Sequence, residues 1–222
     1  TGGGGRGRGG EIGAGGGRAG ARTGDGTWGG GGAGRRSRHV CPWGKTVLNA
    51  SADDGRTWSP PRVIHDSPLD DRDAGIIWLG GDRLLVSWFT TDASQRNGPE
   101  AEKGLDEAAL AQWRKGYARA VEGTQRWVGS WVRLSDDRGE TWSEPIKVPG
   151  PAPHGPIRRA SGQLLYLGKE FATDTEGHDK SVGGIEASSS DDGGHTWTRL
   201  GEVPLLEGTS EENYCEPHVA EL

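Results

Sequence analysis

The chain has 222 residues, with 26 basic and 32 acidic side chains, ten Trp, 41 Gly and no Met. That length is enough for one large domain or two small ones. The net charge of -6 argues against nucleic-acid binding by the whole chain, and no apolar run is long enough to predict a transmembrane helix.

Residues 1–38 form a Gly/Arg-rich segment, in which 19 Gly and seven Arg stand beside two acidic residues. Its apolar content is too small to offset the entropy of ordering, so we expect it to be disordered. Two other interpretations stay open. Arg-Gly tracts occur in RNA-binding tails, and Gly-Arg-Ala runs also arise when GC-rich DNA is translated in the wrong frame. We place the folded domain at residues 39–222.

An octamer with the pattern S-x-D-x-G-x-T-W occurs three times, at 51–58, 135–142 and 190–197. The Asp accepts hydrogen bonds from turn N–H groups, the Gly tolerates positive φ, and the Trp ring covers the end of a small sheet. A calcium loop is excluded because no copy supplies the further oxygen ligands. The pattern therefore predicts a tight β-turn, held in the three copies by Ser51, Asp53, Gly55 and Trp58, by Ser135, Asp137, Gly139 and Trp142, and by Ser190, Asp192, Gly194 and Trp197.

Short strand-like segments flank each octamer, and further hairpins are predicted at 76–89 and 157–167. Short strands with regular turns predict an all-β fold, and four strands per repeat are the make-up of a propeller blade. Residues 40–66 would supply two strands, 71–149 and 153–204 a blade each, and 213–222 the start of another. Because about three blades are too few to close a propeller and Met is absent, we expect a partial chain.

An insertion of about residues 92–124 interrupts the stretch 71–149. Within it Leu105, Ala109, Trp113 and Tyr117 recur at every fourth position, which predicts a helix with one apolar stripe. The stripe either packs on the edge of a blade or belongs to a flap beside a substrate pocket.

Two cysteines, Cys41 and Cys215, allow one disulfide at most. A disulfide, a metal site with His39 and His218, and two buried thiols all fit their positions. We predict the two buried thiols, with no metal and no cofactor.

The octamer is the Asp-box, or BNR repeat, and residues 39–222 resemble the sialidase (neuraminidase) superfamily, in particular its bacterial sialidase-like or exo-α-sialidase subgroup. Beyond the octamers, the resemblance rests on HVCPWGKT at 39–46, DDRDAG at 70–75, PHGPI at 153–157 and CEPHVAEL at 215–222. It implies a six-bladed β-propeller and an exo-α-sialidase-like glycoside hydrolase, which removes terminal sialic acid or a related acidic sugar.

The resemblance also implies a secreted or periplasmic protein with a glycan substrate, and no nucleic-acid or membrane partner. The alternative is a non-catalytic carbohydrate-binding propeller, because the same octamer occurs in propellers without enzymatic activity.

Sialidases use a Tyr nucleophile with a Glu as its base, an Asp as acid/base and three Arg around the substrate carboxylate. By resemblance, Glu216 matches the catalytic Glu. The remaining Arg and the Tyr would follow residue 222, and the first Arg and the acid/base Asp would precede the first octamer, where 33–38 do not match. We therefore expect this chain by itself to be inactive.

In a propeller the first strand of each blade lines the central channel, so residues at the blade starts should converge. We predict Glu216 and Asp73 as catalytic residues and Arg72, Asp71, His154, His218 and Lys169 as substrate-binding residues. Alternatives are a buried ion pair for Arg72 with Asp73, and a structural hydrogen bond to a turn for His154.

Overall fold

The computed structural model describes residues 21–24, 41–52, 56–92, 102–150, 154–173, 179–214 and 216–222. Three antiparallel sheets follow one another along this part of the chain. Sheet 1 contains β1 (Ala21–Gly24), β2 (Lys45–Leu48) and β3 (Arg62–His65). Sheet 2 contains β4 (Asp70–Gly80), β5 (Arg83–Thr91), β6 (Gly129–Ser135) and β7 (Ile146–Val148). Sheet 3 contains β8 (Ile157–Arg158), β9 (Leu164–Thr173), β10 (Asp179–Ser190) and β11 (Thr198–Val203).

Sheets 2 and 3 are both four-stranded, and each strand pairs with the next one along the chain. The predicted mostly-β fold is confirmed, and no sheet closes on itself among the described strands. Helix α1 (Glu107–Tyr117) and a 3-10 turn (Thr124–Trp127) join β5 to β6, and a second 3-10 turn (Glu211–Asn213) follows β11. None of the described helices is long and apolar enough to cross a membrane.

Strand β1 lies inside the Gly/Arg-rich segment that we expected to be disordered. It pairs with β2 in the register Ala21↔Leu48 to Gly24↔Lys45. Pairing of this kind uses backbone groups, so it does not depend on the apolar side chains that the segment lacks. The structure describes residues 21–24 as a strand, the rest of 1–38 lies outside the described residues, and the expected disorder of the segment stays a prediction.

The sheets pack face to face because successive side chains of a strand point to opposite faces. On β5, Leu85 joins a core between sheets 2 and 3 with Leu164 and Tyr166. The next residue, Val86, joins a core between sheets 1 and 2 with Leu48. All of these side chains are buried, and each contributes about 1.5–3 kcal/mol to folding.

The second and third octamers have the same hydrogen bonds. Ser135 Oγ accepts from the N–H of Gly139 at 2.7 Å and donates to Asp137, whose carboxylate also accepts from the N–H of Thr141 at 2.9 Å. The indole N–H of Trp142 closes the turn on the carbonyl of Gly139. The corresponding bonds of the third copy are those of Ser190, Asp192, Gly194, Thr196 and Trp197.

These turns also contact the neighbouring sheet. Gly139 has φ +84°, and a Cβ there would lie 3.1 Å from the Leu48 side chain of sheet 1, closer than an ordinary van der Waals contact. Gly194 has φ +102°, and a Cβ there would lie 2.7 Å from Leu85 of sheet 2. Glycine is therefore required both for the backbone conformation and for the close approach.

Of the first octamer, Asp53 and Gly55 lie outside the described residues. The residues beside it make the contacts seen at the second copy. The N–H of Ser59 donates to the carbonyl of Ala50 at 2.8 Å, and the N–H of Ser143 donates to the carbonyl of Leu134 at 2.8 Å. Ser51 and the partly exposed Trp58 are thus enclosed by the same backbone hydrogen bond as their counterparts in the second octamer.

Helix α1 packs on the segment that precedes β2. Asp106 caps its first turn by accepting from the N–H of Ala109, and Trp113 is buried. A Cβ on Gly116 would lie 2.7 Å from the Pro42 ring, and the indole N–H of Trp43 donates to a helix carbonyl at 3.0 Å. These contacts support the packed interpretation of the apolar stripe.

Candidate functional site

The start of β4 holds three charged side chains below the surface. Asp70, Asp71 and Arg72 are 3%, 0% and 5% exposed. Burial of ionisable groups is costly unless each one is paired, hydrogen-bonded or neutral. The three residues satisfy that condition in three different ways.

Asp70 is buried beside the segment before β2. One carboxyl oxygen accepts from the N–H of Cys41 at 3.0 Å, and the Arg72 guanidinium lies 3.8 Å away, which is beyond hydrogen-bonding distance. Burial therefore outweighs the attraction of Arg72 and raises the pKa of Asp70 to about 7.

Asp71 organises the turn before β4. Its two oxygens accept from the N–H of Ser67 at 2.6 Å, from the Ser67 hydroxyl at 2.8 Å and from the Thr90 hydroxyl at 2.6 Å. Burial raises the pKa of Asp71 to about 6 against the effect of these bonds. In this structure Asp71 holds the turn and has no exposed surface, and its predicted contact with substrate stays a prediction.

His65 packs against this network from β3. Its ring lies between Trp88 and Trp127, with centroid distances of 4.6 and 5.1 Å, and its Nε2 is 4.0 Å from Asp71. Burial lowers the pKa of His65 to about 4, so the ring is neutral at pH 7. It supports the start of β4 by packing, not by charge.

Asp73 is placed by an irregularity in the strand. The pairing of β4 with β5 shifts between Arg72 and Gly75, and Asp73 adopts φ +48°, which L-residues rarely occupy. Bulges of this kind re-aim side chains and are common next to functional sites. The Asp73 carboxylate is partly exposed and lies 4.0 Å from the Arg72 guanidinium, which also stacks over Phe89.

Two glycines bring the starts of β4 and β8 together. A Cβ on Gly75 would lie 2.7 Å from the carbonyl of His154, and a Cβ on Gly155 would lie 2.3 Å from the hydroxyl of Ser87. The motifs DAG and HGP therefore carry glycine where one first strand crosses close to another.

His154 meets the C-terminal segment at this crossing. Its Nε2 lies 3.8 Å from the Glu216 carboxylate, and its ring contacts the His218 ring edge to face at 5.6 Å. Both side chains are exposed, at 47% and 64% of their surface. Glu216 has φ +51°, so it shares with Asp73 the strained left-handed backbone. The structure thus brings together three of the predicted residues that face solvent.

Lys169 and Tyr214 take part in a separate turn. The Lys169 ammonium is buried and donates to the carbonyls of Glu211 and Tyr214, the latter at 3.0 Å. The Tyr214 hydroxyl accepts from the N–H of Leu206 at 2.8 Å and contacts the Thr209 hydroxyl at 2.9 Å. Lys169 orders the approach to Glu216 here, and its predicted substrate contact stays a prediction.

Sequence reasoning missed Asp70, His65 and Tyr117 as members of this region. The Tyr117 hydroxyl is buried without a hydrogen-bond partner among the described residues, and burial raises its pKa to about 12. The sequence did point to Asp70, because it opens the DDRDAG motif. The burial of its side chain, however, depends on residues 41–44 and helix α1, which are distant in sequence.

No group of three or more His, Cys, Asp or Glu within the described ranges is arranged to hold a metal ion. Cys41 is buried. Cys215 and His39 lie outside the described residues, and with them the disulfide and metal-site alternatives.

No protein-family model and no curated protein sequence matches the chain. Among solved structures it is similar to a protein of unknown function from Dyadobacter fermentans, with 22% identity over 78% of this chain and 48% of that one, and a TM-score of 0.50. It is also similar to the Hadza microbial sialidase Hz136 (18% identity, 77% and 34% covered, TM-score 0.48). A third similar structure is an alpha-L-arabinanase from Penicillium chrysogenum complexed with arabinobiose (15% identity, 71% and 40% covered, TM-score 0.40).

The chain spans about half or less of the length of each of these structures. At 22% identity, the similarity to the Dyadobacter protein concerns the fold.

Proposed function

We propose that the chain belongs to a six-bladed propeller of sialidase type, and that the whole protein is a secreted or periplasmic glycoside hydrolase that removes terminal sialic acid or a related acidic sugar. The three octamers and the resemblance of the segments at 70–75, 153–157 and 215–222 to sialidases support this proposal. So do the two four-stranded sheets, which pack face to face with an octamer at each gap.

The observation that carries the proposal is the backbone of Asp73 and Glu216. Of the three described non-glycine residues with positive φ, two are these carboxylates, and the third, Arg138, lies in an octamer turn. Strained backbone persists where the surrounding structure holds a side chain in a functional position. Carboxylates are the residue type that glycoside hydrolysis uses at its site, which fits two carboxylates held in this way.

In the proposed mechanism Glu216 is the base that takes a proton from a tyrosine nucleophile. A phenol has a pKa of about 10, so it attacks at neutral pH only if a neighbouring group removes its proton. The Nε2 of His154 lies 3.8 Å from the Glu216 carboxylate, and the His218 ring contacts the His154 ring. Asp73, 4.0 Å from the Arg72 guanidinium, supplies a second carboxylate beside the substrate, and the acid/base Asp of the resemblance would precede the first octamer.

A second candidate function is non-catalytic carbohydrate binding. The observation that favours it is the environment of Arg72, which is buried between Asp70, Asp73 and the Phe89 ring. Because this guanidinium is already engaged, it is not free to grip a substrate carboxylate as a sialidase arginine does. A binding propeller needs hydroxyl recognition only, which Glu216 and the two histidines can supply.

The experiment measures binding and turnover on the 222-residue chain. Sialic acid and galactose are titrated against it by saturation-transfer NMR, and a fluorogenic sialoside reports turnover. We expect sialic acid to bind, Glu216→Gln to weaken it about tenfold, and turnover to be absent from this chain. The matched control is Glu140→Gln, which changes an exposed carboxylate of the second octamer.

Equal binding of sialic acid and galactose would favour the carbohydrate-binding alternative. Failure to bind either sugar would refute both functions, and turnover of the sialoside would refute the expected inactivity of this chain.

A further inference from the structure

A polar cleft of about 740 Å³ lies between sheets 2 and 3, beside the third octamer. Leu79, which lines it, is six residues along β4 from Asp73, and six residues of strand span about 20 Å. The cleft is therefore separate from the candidate site at the start of β4. Its polar lining is formed by Arg83, Arg158, Arg159, Ser161, Gln163, Asp191 and Asp192.

The corresponding place in sheet 2 is filled by an ion pair. Arg138, at the fourth position of the second octamer, donates through Nε to the Asp82 carboxylate at 2.6 Å and through its N–H to the Asp82 carbonyl at 2.8 Å. In sheet 3 the fourth octamer position is Gly193. When the hairpins are aligned on the Leu-Leu pair that follows each turn, Gly162 takes the place of Asp82. Both members of the ion pair are thus replaced by glycine, so no side chain from these two positions fills the cleft.

Two guanidinium groups border this space at the two glycines. Arg158 Nη2 lies 3.7 Å from the position that a Cβ on Gly162 would take, and Arg83 Nη2 lies 2.5 Å from that of a Cβ on Gly193. Within the described part of the chain, Arg158 has neither an ion pair nor a hydrogen bond through its side chain. The nearest carboxylate to Arg83 is that of the exposed Asp136, at 3.9 Å.

Acidic groups near the cleft already have other partners. Asp191 accepts from the Gln163 amide at 2.9 Å, and Glu221 accepts from Arg159 at 3.1 Å and from the N–H of Ala160. The Asp192 carboxylate is used by its own octamer turn. None of these acidic groups therefore pairs with Arg158, and its guanidinium is available to a bound anion.

We propose that this cleft binds an acidic oligosaccharide, with its anionic group between Arg83 and Arg158. A guanidinium presents paired N–H donors that match a carboxylate or sulfate, and such charge-assisted bonds are the stronger class. Ser161 and Asp191 can pair with sugar hydroxyls, and the volume lies in the range of small-molecule sites. The site does not depend on the function proposed for Asp73 and Glu216.

The test uses digalacturonic acid as the probe, lactose as a neutral disaccharide and sodium sulfate as a bare anion. Each is titrated against the 222-residue chain by calorimetry at low salt. Arg158→Ala is the test variant; Arg158 is exposed, and circular dichroism checks that the variant folds. Arg138→Ala is the matched control, because it removes the same charge from the second octamer.

We expect digalacturonic acid to bind the wild-type chain and the Arg138→Ala variant alike, and Arg158→Ala to bind it at least tenfold more weakly. The loss caused by Arg158→Ala should be the same in a Glu216→Gln background, because the two sites are separate. Equal affinity for sulfate and digalacturonic acid would show a simple anion site and overturn the oligosaccharide assignment. No binding to the wild type, or an equal loss in both arginine variants, would overturn the site itself.

Discussion

Replacement of Asp70 by Asn should stabilise the protein at neutral and alkaline pH. Burial raises the pKa of Asp70 to about 7 from 3.8, so the folded state holds a proton that the unfolded state has lost. The carboxyl group therefore contributes stability that is fully present below pH 4 and is lost as the pH rises through about 7. The difference between a pKa of 3.8 and one of about 7 corresponds to about 4 kcal/mol in the free energy of unfolding.

The assay is urea unfolding of the wild type and Asp70→Asn between pH 4 and pH 8. The amide keeps an oxygen that accepts from the N–H of Cys41 and carries no charge to bury. We expect the two proteins to differ little at pH 4 and the variant to be more stable by up to about 4 kcal/mol at pH 8. A variant that is less stable than the wild type at pH 8 would refute the reasoning, since it would show that the ionised Asp70 stabilises the fold through Arg72.

Asp71→Asn is the matched comparison for this experiment. Asp71 accepts three hydrogen bonds through two oxygens, whereas an amide presents only one oxygen. Burial also raises the pKa of Asp71, to about 6, so at pH 8 the removal of its charge opposes a loss of about 1–3 kcal/mol from the hydrogen bonds, and we expect Asp71→Asn to stabilise the protein less than Asp70→Asn does.

Three further predictions concern positions away from Asp70. Gly155→Ala should lower the melting temperature far more than Gly162→Ala, because both have positive φ but only the first would place a Cβ 2.3 Å from a side-chain oxygen, that of Ser87; equal losses would contradict this. Asp192→Ala should cost about 2 kcal/mol in urea unfolding, because the third octamer loses its central acceptor, and a loss under about 0.5 kcal/mol would count against the turn. Burial lowers the pKa of His65 to about 4, so the unfolded chain binds the proton first and the wild type loses stability as the pH falls from about 6.5 through about 4. His65→Phe should remove this pH dependence from the free energy of unfolding. An unchanged pH profile in urea unfolding would show that His65 does not titrate in this way.

The local structure of the octamers could be read from the sequence because each turn is held by its own eight residues. Ser135, Asp137 and Gly139 bond to one another within a span of five residues, so their spacing alone predicts the turn. Strand β6, which precedes the second octamer, alternates in burial with a period of two along most of its length. The apolar stripe of the insertion likewise predicted helix α1, although the helix is shorter than the pattern.

The candidate site was only partly predictable. Propeller geometry led to the expectation that residues at the starts of strands converge, and His154, Glu216 and His218 do meet. The same reasoning proposed Asp71 as a substrate contact, and Lys169 was proposed from its place after the inner hairpin; both side chains are buried, and their substrate contacts stay predictions. A single bulge or turn decides whether a charged side chain faces a ligand or supports the backbone, and the spacing of residues in the sequence does not predict that orientation.

The sequence by itself determined the repeat, the turn chemistry and the mostly-β architecture, because hydrogen bonds and side-chain alternation within short segments specify them. Only the tertiary structure decided which charges are buried and which spaces stay open. The raised pKa of Asp70 comes from its burial, against the effect of the Cys41 N–H bond, and the cleft beside Gly193 depends on arginines from two sheets. Burial and electrostatic pairing arise between residues far apart in the chain, so they follow from packing and not from any local pattern.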